Sequence, residues 1–145
     1  MAILGKFESF VTAMAEGTHK DALNEPDTDT LKLVLTLDPP VLGSNTVLAN
    51  LSTLNEPTGT GYTAGGTDAL NTASTSGGTI TVGATSNPSW TATDTDWDDF
   101  RYVTLYNSTP AGGPLIMAWD YESDVSLGSG ETFTVNVTTN YFTVA

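Results

Sequence analysis

Cysteine is absent from this 145-residue chain, which excludes disulfide bridges, thiolate metal sites and thiol nucleophiles and leaves packing or assembly to stabilise the fold. Basic residues are nearly absent as well: Lys6, Lys20, Lys32 and Arg101 stand against 17 acids, for a formal net charge of −13. A phosphate-binding face releases counterions through clustered Lys and Arg, so binding to nucleic acid or to an anionic membrane is not expected. His19 is the only histidine, which removes every multi-histidine metal site and leaves one imidazole as a general base. No run approaches the ~20 apolar residues of a membrane helix. The opening MAILGKFESFVTAMAEG is interrupted by Lys6, Glu8 and Glu16 and lacks the basic and unbroken apolar regions of a secretion signal. The chain reads as a soluble product of a cytoplasm.

What is present is a large neutral polar fraction. Hydrophobic residues make up 39% and charged residues 14%, and much of the remainder is Thr, Ser, Asn and Gly, which suit strand faces and turns better than helical surfaces. A single domain of this length buries roughly 68–70% of the surface its unfolded chain exposes, enough for one continuous core. In the first 17 residues Ile3, Phe7, Phe10 and Met14 fall at helical spacing, and Leu4 and Val11 widen the stripe. That pattern predicts an amphipathic N-terminal helix over residues 2–16, with Gly17 as its stop. A helix this short is marginal alone and must dock. It either covers an open face of its own sheet or meets a neighbouring subunit, and the second case makes Phe7, Phe10, Val11 and Met14 contact residues.

Residues 18–29 are polar, acidic and broken by Pro26, and read as a connector. From residue 30 to 145 the pattern is that of a single β domain. In TLKLVLTLD, Leu31, Leu33, Leu35 and Leu37 share one face and Lys32, Val34 and Thr36 the other, the period of a strand, and Pro39 and Pro40 end it. Further strands are expected at Val47–Leu54, Tyr62–Ala64, Thr79–Val82, Ser89–Thr93, Phe100–Asn107, Leu115–Tyr121, Glu131–Val137 and Tyr141–Val144. Asn107–Pro114 reads as a hairpin loop and Gly128–Gly130 as a second turn. Thr67–Gly78 is small and polar enough to be a loop. Many short strands without crossover helices predict a mainly β fold, an antiparallel β-sandwich or jelly-roll-like domain with an N-terminal amphipathic helix.

Motifs that carry chemistry are sparse. GTGYTAG at Gly59–Gly65 echoes a dinucleotide loop, but it lacks the preceding strand and following helix that aim amides at a pyrophosphate. It reads instead as a tight bend in which Gly61, Gly65 and Gly66 take positive φ. His19, near the helix exit, is placed to interact as a partly charged imidazole with a helix C-terminus. The run DTDWDD puts Asp94, Asp96, Asp98 and Asp99 close together, and alternate carboxylates suit a hard cation such as Ca2+. The run departs from a calcium loop at Asp99, where the sharp turn needs Gly, and at Leu105, where a bidentate Glu belongs. Trp119 alternates with Leu115 and Met117 and reads as core. Trp97, flanked by aspartates, is expected to be exposed, as an interface anchor or a sugar platform. Nothing selects a catalytic residue or an organic cofactor, and the chain reads as non-enzymatic.

Several segments taken in order, KFESFVTAMAEGTH, DTLKLVLT, GYTAGGT, FRYVTLYN, PLIMAWDY and GETFTV, carry a resemblance. The chain resembles small virion proteins of tailed bacteriophages that look like capsid decoration, or cement, proteins. The resemblance implies a β-sandwich subunit, made in the host bacterial cytoplasm, that assembles with itself as a homotrimer and with the major capsid protein on the outer capsid surface of the virion. DTDWDD ahead of FRYVTLYN departs from that pattern, where a less charged loop is expected. A phage tail or fibre component, with a carbohydrate-binding receptor module, is the alternative.

Overall fold

The computed structural model describes residues 1–19, 29–51, 53, 55–95, 97–137 and 140–145. Its centre is the strand whose alternation is clearest. Strand β2 (Leu31–Thr36) pairs along its whole length with β7 (Phe100–Asn107), from Leu31 opposite Asn107 to Thr36 opposite Tyr102. Strand β7 is rich in β-branched and aromatic residues, which pack well on a pleated surface, and β2 meets it with alternating leucines. Strand β8 (Leu115–Val125) pairs with β7 on its other side. The edges are β1 (Ala2–Lys6) and the two-residue β3 (Thr67–Asp68), giving the antiparallel order β1-β8-β7-β2-β3. A second sheet has the order β10-β5-β4, from Phe142–Val144, Thr79–Ala84 and Asn71–Ser76. A third ladder joins β6 (Ser89–Thr91) to β9 (Thr132–Thr134). The chain is therefore mainly β and antiparallel, with a β-sandwich-like arrangement.

Alternation on β2 and β7 divides the core in two. Leu31, Leu33 and Leu35 join Val103, Leu105, Val82, Trp90 and Phe133 in the larger cluster, between the five-stranded sheet and the smaller ladders. Val34 and Tyr106 point the other way, into a smaller cluster with Phe7, Leu51, Leu115 and Ala118. Thus β2 is buried on both faces, with Lys32 alone half-buried. Aromatic rings fill the larger cluster at tilted or edge-to-face angles. Phe100 meets Phe133 at 4.8 Å and 73°, and Trp97 at 6.4 Å and 64°, as the ring quadrupole favours.

The N-terminal segment corrects the expectation of one helix over residues 2–16. Residues Ala2–Lys6 form β1, paired antiparallel with β8, and only Glu8–Ala15 form helix α1. Gly5 has φ 136°, which no helix accommodates. The open edge of β8 offers unpaired peptide groups to this segment, and tertiary pairing outweighs its helical spacing. The change of structure at Phe7 sends the two aromatic residues apart: Phe7 enters the smaller cluster and Phe10 the larger.

Other departures have local causes. The strand expected at Val47–Leu54 is a helical turn, α2 (Leu48–Leu51), and Val47 makes one isolated bridge to Pro114. Residues 52 and 54 lie outside the described residues. Tyr62–Ala64 forms no strand, because Tyr62 turns inward to the core and its hydroxyl accepts a hydrogen bond from the Leu35 amide at 3.3 Å. Thr67–Gly78, read as a loop, contains β3 and β4. The register from Asn71 opposite Ala84 to Ser76 opposite Thr79 closes through Gly77 and Gly78 at φ 57° and 83°, a two-residue hairpin turn. Thr and Ser serve an exposed edge strand as readily as a loop. Of the connector 18–29, residues 20–28 lie outside the described residues.

Candidate functional site

The acidic run was the first candidate. Its carboxylates are directed to different donors on two loops. Asp94 Oδ2 accepts the Thr60 amide at 2.9 Å, and Asp98 Oδ2 accepts the Thr58 amide at 3.0 Å and its hydroxyl at 2.5 Å. Asp99 accepts the Ser126 hydroxyl. The two Thr58 bonds hold the Asp98 carboxyl below the usual carboxylate range. Among the described residues no three His, Cys, Asp or Glu side chains converge as metal ligands, and Asp96 lies outside them.

Those bonds fasten the 58–60 loop over Trp97, which is 7% exposed. Its indole Nε1 donates to the Thr60 carbonyl at 3.0 Å, and Tyr62 meets the ring edge-to-face at 5.6 Å. Trp97 is thus a core residue, correcting the expectation that its acidic neighbours place it on the surface. Asp94, Asp98 and Asp99 are exposed or half-exposed, whereas the ring among them turns inward.

His19 is also buried, and is not an imidazole at a solvated helix end. Its ring packs on Phe10 at 5.3 Å, and Nδ1 lies 3.3 Å from the Asn107 amide nitrogen, which also donates to Asp29 Oδ2 at 2.6 Å. Nε2 is buried without a hydrogen-bond partner among the described residues. Burial pushes the His19 pKa below 6.5, and the charge on Asp29 partly opposes this. A neutral ring whose Nδ1 accepts from Asn107 satisfies that geometry.

One polar arrangement had no signal in the sequence. Glu56 Oε2 accepts the Tyr62 hydroxyl at 2.8 Å and the Gly65 amide at 2.7 Å, while the Tyr106 hydroxyl donates to the Gly65 carbonyl at 2.7 Å. Burial raises both phenols, Tyr62 well above 10 and Tyr106 up to about 12. These bonds tie the glycine-rich bend to the central sheet. Gly61, Gly65 and Gly66 have φ 108°, 84° and 77°, as expected of the bend.

The remaining candidate is apolar. Strand β1 is an edge of the five-stranded sheet, with Ile3 69% exposed, Leu4 38% and Val11 of the adjoining helix 52%. Ile3 lies between two grooves. One, of about 380 Å³, is lined by Lys6, Phe10, Val11, Met14, Phe142 and Val144 together with Ile3. The other, of about 410 Å³, is lined by Trp119, Tyr121, Phe133, Asn136 and Tyr141, again with Ile3. Of the expected contact residues, Val11 is exposed and Met14 half-buried at this edge, whereas Phe7 and Phe10 are 0% and 5% exposed and belong to the core. Ile3 and Leu4 take their place, brought out by the strand conformation of β1. Comparison with protein-family models, with curated proteins and with solved structures finds no match to this chain.

Proposed function

We propose that this chain is a non-enzymatic structural subunit of a tailed-phage virion, decorating and stabilising the outer capsid surface through contacts with the major capsid protein and with other copies of itself. The observation that carries the reading is the apolar surface at the β1 edge. Ile3 and Val11 are exposed and line a groove that has, among the described residues, no acidic side chain, and Leu4 is exposed on the same strand as Ile3, on a chain with a net charge of −13. Exposed apolar surface that interrupts a charged exterior marks a contact face, and an open strand edge adds unpaired peptide groups to it. The sequence resemblance to phage decoration proteins supplies the partner. Many weak contacts repeated over a lattice then add avidity without chemistry.

The test is the copy number of this chain relative to the major capsid protein in purified particles, by quantitative mass spectrometry. Near-equal abundance supports decoration. A few copies per particle move the protein to a tail or vertex, and absence overturns the virion reading. In a binding assay with undecorated capsids, Val11→Asp should lose particle association while its circular dichroism stays that of the parent.

A further inference from the structure

We propose that the groove between β1, β8, residues 133–137 and residues 140–141 is a binding site for a neutral sugar. The inference does not rest on the virion reading. Among the described residues its wall is aromatic: Trp119 packs on Tyr141 at 6.2 Å, and Tyr121 meets Phe133 edge-to-face at 5.5 Å and 76°. Trp119, Phe133 and Tyr141 are held in the core, while Tyr121 stands 41% exposed at the opening. A fixed floor with one accessible ring is the arrangement that stacks on the apolar face of a pyranose. Tyr121 is set there by the backbone. Phe100 pairs with Val125 and Tyr102 with Asp120, so β8 bulges outward over residues 121–124 opposite Arg101. The Arg101 guanidinium grips Asp120 with two bonds of 2.8 and 3.0 Å, anchoring the start of the bulge. Bulges re-aim side chains in this way at binding sites.

The polar rim completes the chemistry. Thr134, Asn136 and Asn140 are exposed and line the same groove. Asn136 Oδ1 accepts the Asn87 amide at 3.3 Å, which orients its carboxamide. Carboxamides both donate and accept, as sugar hydroxyls require. Among the described residues no charged side chain lines the groove, although the chain carries 21, and the ammonium of Met1, which also lines it, lies 3.9 Å from Glu122 Oε2, so the lining favours a neutral ligand. Its volume of about 410 Å³ falls in the usual range for small-molecule sites. The neighbouring groove has two rings of its own, Phe10 and Phe142, packed edge-to-face at 5.3 Å, but no carboxamide lines it among the described residues, and it fits the contact face argued above.

The experiment is a two-dimensional amide NMR titration of the isolated protein with maltotriose, cellotriose, mannotriose and galactobiose at millimolar concentration, and with N-acetylneuraminic acid as an anionic control. Saturable shifts at Tyr121, Thr134 and Asn136 with at least one neutral sugar are expected, and none with the acid. Tyr121→Ala should bind about tenfold more weakly, the loss of one stacking partner, while Tyr121→Phe retains binding and Asn140→Ala weakens it. Val11→Asp should leave the titration unchanged, separating this site from the assembly face. Absence of shifts with every neutral sugar overturns the proposal. So does unaltered binding by a folded Tyr121→Ala variant, or saturation of these residues by an apolar peptide and by no sugar.

Discussion

Gly66→Ala offers the sharpest test of how the glycine-rich bend seats on the sheet. A Cβ at Gly66 would lie 1.8 Å from the Leu33 carbonyl oxygen, 2.6 Å from its carbon and 2.9 Å from Val34 Cα. All three are backbone atoms of β2, clamped between β7 and β3, and both side chains are buried. The strand cannot withdraw, so the bend must lift by an ångström or more. That movement strains the Tyr106 bond to the Gly65 carbonyl and the Gly66 amide bond to the Thr63 carbonyl. Positive φ costs an L-residue about 1–2 kcal/mol, and forcing atoms into a packed interior adds about 1–3 kcal/mol. Gly130→Ala isolates the first contribution, because Gly130 has φ 86° and an added Cβ there would meet no described atom within 4 Å. Gly66→Ala should therefore be less stable than Gly130→Ala by about 1–3 kcal/mol. For a chain of this size each kcal/mol moves Tm by roughly 3 °C. Urea unfolding followed by fluorescence and circular dichroism reads the difference. Equal destabilisation of the two variants, within about 0.5 kcal/mol, would refute the close packing of the bend on β2.

Phe10→Asp should unfold the protein, since truncating a buried Phe alone costs about 3–5 kcal/mol and the carboxylate adds a buried charge. Ile3→Asp and Val11→Asp should melt within a few degrees of the parent in a thermal scan, and the reverse ranking would show that α1 presents the other face. Acid stability should depend on His19. With its folded pKa below 6.5, the unfolded chain binds the proton first, so this contribution is intact above pH 6.5 and is lost as the pH falls from there towards the folded value. His19→Gln should flatten that part of the denaturation profile relative to the parent, and superimposable profiles would exclude the histidine as its source. At the other extreme, Tyr62, Tyr106 and Tyr141 are all raised above 10 by burial. Stability should be intact below pH 10 and fall as the pH rises towards those values, with these phenols ionising only as the chain opens in an ultraviolet titration.

The parts legible in the sequence are those where local pattern and tertiary environment agree. In β2 Leu31, Leu33 and Leu35 alternate with Val34, and in the paired part of β7 Val103 and Leu105 alternate with Tyr106, and their mutual pairing lets each of these residues keep the face its position assigns. Asn107–Pro114 carries the turn residues that join β7 to β8, and Trp119 lies in the core as its alternation with Met117 implies. Around the candidate sites the same reasoning gave less. Val11 and Met14 were legible as members of an apolar stripe, but nothing local distinguishes them from Phe7 and Phe10, which the sheet edge draws inward. The aromatic groove had no linear signature, because Trp119 and Tyr121 of β8, Phe133 of β9 and Tyr141 come from three separate segments and meet only in the folded chain.

By itself, then, the amino-acid sequence determined the class of fold, the want of thiol and clustered basic chemistry, and the acidic exterior, since composition and period-two alternation act residue by residue. The tertiary structure decided that residues 2–6 extend as a strand, that Trp97 turns inward under the 58–60 loop, and that apolar surface collects at the β1 edge. Each of these depends on hydrogen-bond partners far along the chain: β8 for β1, and the Thr60 carbonyl for the Trp97 indole. Local propensities of a few tenths of a kcal/mol per residue yield to a buried peptide group that must find a partner, and that partner is set by the fold.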